Sequence, residues 1–111
     1  MRKFIILTLA GLVLGVWVLG APSVSRAQEG KKIFNMRCAA CHGENGKGDG
    51  PLAKNFSPRP LDFALPGFWQ GDADKKISDA VTKGKGPMPP MNLSPEEIKA
   101  VTAYMKSSFK R

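Results

Sequence analysis

The chain has 111 residues, room for one domain. Its formal charge of +8 is scattered, with no dense basic run interleaved with aromatics, which argues against nucleic acid as a partner. The only cysteines, Cys38 and Cys41, sit too close together for a bridge between them to constrain the chain, so a disulfide framework is excluded.

The N-terminus reads as a leader. Arg2 and Lys3 precede the uncharged stretch Phe4 to Gly20, and Ser25 and Ala27 supply small residues at the spacing a signal peptidase accepts. Residues 1–27 are therefore expected to be a secretory signal, cut before Gln28. The competing expectation is a retained anchor, because 17 uncharged residues approach the ~17–25 that a membrane helix needs. Export would place the protein in the periplasm, with the membrane as a partner only if the leader stays. Loss of Arg2, Lys3 and Arg26 with the leader lowers the formal charge from +8 to +5. The remaining domain, residues 28–111, has 84 residues and is small enough to need a staple that its cysteines cannot provide as a disulfide.

A first helix is expected over roughly Gly30 to Ala40, with Ile33 and Phe34 on one face. It is short and weakened by Gly30, so tertiary contacts must hold it. It runs into Cys38-Ala39-Ala40-Cys41-His42. Two thiols three residues apart reach the two vinyl groups of one haem as thioethers, and the next residue carries an imidazole to the iron. The same residues also read, more weakly, as a dithiol redox pair or part of a zinc site. The first lacks its βαβ context, and the second lacks a fourth ligand. Covalently bound haem c, one per chain, is the expected cofactor, and it supplies the apolar body around which a short chain can collapse.

From Gly43 to Gly71 the sequence is rich in glycine and proline and has no periodicity, yet Leu52, Phe56, Leu61, Phe63, Leu65, Phe68 and Trp69 make it too apolar for a free linker. It is expected to wrap a bulky cofactor. A second helix follows from Asp72 or Ala73 to Lys83, with Ile77, Ala80 and Val81 at helical spacing and Gly84 as its stop.

His42 is the only histidine, so a second axial ligand must be of another type, methionine being the usual one. Met1 lies in the leader, Met36 is too near Cys38, and Met105 belongs to an apolar stripe. That leaves Met88 and Met91 in Gly84-Lys85-Gly86-Pro87-Met88-Pro89-Pro90-Met91. Prolines stiffen the chain beside both. The last helix is the clearest: Ser94 as N-cap, Pro95 at N1, Glu97 completing a capping box, and Ile98, Val101, Met105 and Phe109 on one stripe. Lys31, Lys32, Lys75, Lys76, Lys83 and Lys85 are candidates for a face that docks an acidic redox partner.

Over residues 28–111 these features together resemble the class I c-type cytochromes. Gly30 and Phe34 before CAACH are similar to that family's helix-crossing glycine and aromatic. CAACHG followed by Gly46, Gly48, Asp49, Gly50 and Pro51 is similar to bacterial monohaem members. Lys83 to Pro89 resembles the Met-Pro ligand loop, and Leu93 to Ile98 with Tyr104 resembles the final helix. The resemblance implies an all-α class I cytochrome c fold, with Met88 as the second axial ligand and a first-to-last helix contact through Gly30, Phe34, Val101 and Tyr104. It implies that Gly50-Pro51-Leu52 presents a proline carbonyl to the ligand histidine, and that Trp69 donates either to a haem propionate or to the surface. The implied function is one-electron transfer between partner proteins, without catalysis. A haem subunit of a membrane-associated redox enzyme complex, and a gas-sensing or peroxidatic haem protein, are the rival expectations.

Overall fold

The computed structural model describes residues 25–111, together with the isolated Gly11 and Gly15. The expected leader thus lies outside the described residues except for Gly11, Gly15 and its last three positions. The described chain folds into four helices in the order α1 (Arg26–Arg37), α2 (Ala39–His42), α3 (Ala73–Lys83) and α4 (Pro95–Phe109). Short 3-10 turns at Ala53–Asn55 and Pro66–Trp69 punctuate the long loop between α2 and α3. Among the described residues there is no strand and no helix long and apolar enough to cross a membrane.

α1 starts four residues before the expected position. Ser25 forms a capping box with Gln28: its hydroxyl accepts the Gln28 N–H, and its own N–H donates to Gln28 Oε1, both at 3.2 Å. The Ser-x-x-Gln pattern satisfies two donors that a helix start otherwise leaves open. Small residues read as a peptidase site therefore also serve as a helix start. At the other end the helix breaks at Cys38, which leaves helical geometry (φ −121°) before α2 resumes.

The expected starts of α3 and α4 hold. Asp72 caps α3 by accepting the Lys75 N–H at 3.0 Å. Ser94 and Glu97 exchange the two bonds of the predicted capping box at 3.1 and 2.9 Å, with Pro95 opening the helix.

One core joins these elements. α1 crosses α4 at Gly30, where a Cβ would collide with the Ala100 carbonyl oxygen and lie 2.8 Å from Tyr104 Cβ. The absence of a side chain lets the two backbones touch, and Phe34 (0% exposed) then packs on Tyr104 and Phe109 at ring separations of 5.7 and 5.1 Å. Val101 and Met105 from α4, Ile77 and Val81 from α3, and Phe63 and Trp69 from the loop complete the cluster. The expected helix contact through Gly30, Phe34, Val101 and Tyr104 is present.

Gly30→Ala is expected to cost at least about 1–3 kcal/mol, because the added methyl meets rigid backbone at the crossing. Ser94→Ala, which removes only the α4 cap, should cost about 1 kcal/mol. Denaturant titration of both variants checks the order; equal losses would place the critical contact elsewhere.

Candidate cofactor-binding site

The break at Cys38 gathers the attachment residues onto one tight turn. Cys38 N–H still donates to the Phe34 carbonyl of α1 at 2.8 Å, while the Cys38 carbonyl accepts from Cys41 and His42 at 3.2 and 2.9 Å. Both thiols are unbridged and half-buried. Burial pushes the Cys38 thiol up to about 11, opposed by the charge of Arg37, so it stays protonated near neutral pH. His42 is half-buried, and burial lowers its pKa, the Leu61 backbone acting in the opposite sense. A neutral imidazole is the form that can bind a metal. Its Nδ1 is buried without a hydrogen-bond partner, which marks a group whose environment is built for more than packing.

The loop from Gly43 to Gly71 folds back around this turn. Gly48 N–H donates to the His42 carbonyl at 2.8 Å, and Phe63 N–H donates to the Gly46 carbonyl at 2.7 Å. The Phe63 ring stacks on His42 with centroids 4.6 Å apart and an interplanar angle of 23°. Gly48 has φ +76°, and a Cβ there would collide with the Pro60 carbonyl and lie 3.1 Å from that of Leu61, so the turn and the 60–61 segment meet backbone to backbone.

Two expectations about this loop need correction. Gly50-Pro51-Leu52 makes no hydrogen bond to the His42 ring, whose Nδ1 has no partner: Gly50 and Leu52 donate to the carbonyls of Cys41 and Ala40 at 3.1 and 2.9 Å, bracing α2. Trp69 turns its indole neither to a cofactor nor to the surface. It is 8% exposed, and its N–H donates to the Phe63 carbonyl at 2.7 Å, because a buried indole needs an acceptor and this one is adjacent.

Of the methionine expectations, the core placement of Met105 holds. Met36 is 71% exposed on α1, and Met105 is 4% exposed within the core. Met88 and Met91 are both half-buried and pack against the same core cluster as Cys38. Met88 closes a reciprocal turn with Lys85 (3.0 and 3.1 Å), whereas Met91 N–H is tied to the Val81 carbonyl at 2.7 Å. Both thioethers therefore sit on stiffened backbone.

The lysine face is less free than the sequence implies. Lys75 and Lys83 pair with Asp79 at 2.6 and 3.8 Å. Lys76 Nζ donates to the carbonyls of Phe68 and Gln70 at 3.1 and 2.8 Å, clamping the turn that carries Trp69. Lys31, Lys32 and Lys85 are exposed.

Among the described residues no three His, Cys, Asp or Glu side chains converge on a point that could hold a bare metal ion. Two thiols on one turn, a neutral buried imidazole beside them, thioethers on a braced loop and an apolar core are the donor set of a covalently attached haem. The residues fit that group.

Known proteins resemble the chain over most of its described length. The family model "Cytochrome c" matches residues 27–109. The chain is 40% identical over 84 residues to the cbb3-type cytochrome c oxidase subunit FixP of Azorhizobium caulinodans, covering 71% of this chain and 26% of that protein. It is 37% identical over 84 residues to cytochrome c6 of Leptolyngbya boryana, covering 71% of this chain and 88% of that protein. Among solved structures, the KustC0563 c-type cytochrome superposes with a TM-score of 0.62 at 26% identity, covering 74% of this chain and 98% of that one. The chain spans only about a quarter to a third of the length of the cbb3-type subunits it matches.

Gly48→Ala is expected to cost at least about 1–3 kcal/mol from the left-handed backbone alone, before the clash with Pro60 is counted. A thermal melt measures it; an unchanged midpoint would mean that the 60–61 segment does not bear on the turn.

Proposed function

This chain belongs to the cytochrome c family, and from that premise we propose that it is an exported one-electron carrier with a single His/Met-ligated haem c. The observation that carries the reading is the half-buried imidazole of His42, placed one residue after the second of two thiols on the same turn. Haem c, when bound, supplies an iron that changes oxidation state by one electron.

The chain's own residues have separate tasks. Cys38 and Cys41 hold the group covalently, so that a small domain keeps it through each redox cycle. His42 and Met88 would be the two side chains that ligate its iron. Of the two braced thioethers we assign Met88, because it lies between Pro87 and Pro89 and closes the turn with Lys85, whereas the Met91 backbone is committed to the end of α3. Phe63, Phe68 and Trp69 form an aromatic wall beside His42 that excludes water. A histidine and a methionine together on the iron would raise its potential and leave it no open place for a substrate. Electron transfer rather than catalysis follows from that ligation.

Residues 1–27 fit a signal removed before Gln28, with the protein acting in the periplasm. Cutting there removes Ser25 and the first two residues of α1 but leaves Gly30, Ile33 and Phe34, which make the core contacts. A second reading has support in the FixP relative, an oxidase subunit: here the chain is a relay fixed within a membrane redox complex and the leader remains. In either case donor and acceptor are redox proteins, and Lys31, Lys32 and Lys85 are the first candidates to meet an acidic surface.

Potentiometric titration of the purified protein should give one one-electron wave. Met88→Ala should abolish the weak red absorption of ferric iron bound to thioether and lower the potential by a sizeable part of the ~0.8 V range that axial ligands set. Met91→Leu should keep both. Loss of the red absorption in the Met91 variant alone would transfer the ligand role to Met91.

A further inference from the structure

We propose that Phe63 is a positioning residue for His42, its ring fixing the plane of the imidazole and hence the orientation of the axial ligand. The inference rests on the reading of His42 as an axial ligand and extends it to a residue whose sequence context gave no sign of the role.

An imidazole joined through Cβ turns easily, because its second torsion is broad and has no sharp staggered wells. Something must hold its plane if the ligand is to present one orientation to the iron. Phe63 is built to do so. Its ring lies nearly parallel to the imidazole, at 4.6 Å and 23°. The ring is itself immobilised: Phe63 is 6% exposed, with Phe68 tilted against it at 4.8 Å and Phe109 of α4 stacked at 6.3 Å.

The backbone beneath the ring is fixed from both sides. The Phe63 N–H donates to the Gly46 carbonyl and its C=O accepts from Trp69 Nε1, each at 2.7 Å. Gly46 lies on the turn that leaves α2 and is bonded back to the Gly43 carbonyl at 3.0 Å. One hydrogen bond therefore sets Phe63 in register with the helix end that carries His42. Through Phe109, which packs on Phe34 at 5.1 Å, the same ring is braced by the crossing of α1 and α4. Groups outside the immediate ligand set that orient a ligand also tune the metal it binds. Here the orienting contact is an aromatic face, held by Trp69 and Gly46 as a pair of clamps.

The test uses ferric holoprotein. In low-spin ferric haem the plane of the axial imidazole decides which pyrroles carry unpaired spin, so the haem-methyl hyperfine shifts and the electron paramagnetic g values report it. Phe63→Leu keeps apolar bulk and removes the flat face; it should shift the haem-methyl resonances and the largest g value while the haem stays covalently bound. Trp69→Phe leaves the Phe63 ring but frees its carbonyl; it should move the same resonances in the same direction by less, and it decides the matter alone if Phe63→Leu yields no holoprotein. Methyl shifts and g values that superimpose on wild type, with only a lower melting midpoint, would overturn the proposal and leave Phe63 as core. Wild-type protein without low-spin ferric haem signals would instead overturn the His42 assignment on which it rests.

Discussion

The backbone contact between Gly30 and Ala100 sets the geometry of the whole domain. α1 is too short to be stable alone and carries a helix-weakening glycine in its middle. That glycine lets α1 lie directly on α4, and the closeness of the backbones brings Phe34, Tyr104 and Phe109 into one aromatic cluster. With its middle fixed in this way, α1 has a defined end. Cys38 stays bonded to Phe34 across the break, so the attachment turn inherits its position from the crossing. A covalent site for a large planar cofactor needs such a fixed origin, because thioether bonds tolerate little error in where their sulfurs stand.

The rest of the site is assembled against that turn by a loop with almost no regular structure. Its order comes from backbone hydrogen bonds aimed at α2, from Gly48 to His42, Gly50 to Cys41 and Leu52 to Ala40, and from one more, Phe63 to Gly46, on the turn that follows it. Each of the first three places one stretch of loop against one residue of α2. The aromatic side chains then close the remaining space, with the Trp69 indole on the Phe63 carbonyl and Lys76 holding the Trp69 turn to α3. The result is the all-α class I cytochrome c fold, in which a long irregular segment is ordered by the helix end it encloses.

Parts of this were legible in the sequence because local chemistry decided them. Ser94-Pro95-Glu96-Glu97 can do little but start a helix, and Asp72 and Gly84 bound α3 by the same logic. The CAACH pentapeptide carried its expected chemistry in spacing and residue type, whereas Met88 was singled out by resemblance to a Met-Pro loop. Other parts depended on tertiary contacts that carry no local signal. Phe63 and Leu61 lie among prolines and glycines without periodicity, so nothing marked them as neighbours of His42. Pro51 was the expected neighbour because the family resemblance implied it, but the chain runs ten further residues before it comes back around the imidazole. The start of α1 was missed for another reason: small residues that suit a peptidase also suit a capping box, and one pattern hid the other. The lysine candidates were drawn without Asp79, which pairs with Lys75 and Lys83 one turn to either side.

A haem carried on Cys38 and Cys41 is the claim on which the function stands, and the mass of the denatured chain tests it most directly. After acidic organic extraction, the account predicts one species whose mass is that of residues 28–111 plus one haem. A species carrying residues 1–111 plus one haem would keep the haem assignment and favour the membrane-held relay. A chain that loses its haem to the organic phase, or whose mass matches the polypeptide alone, would contradict the account.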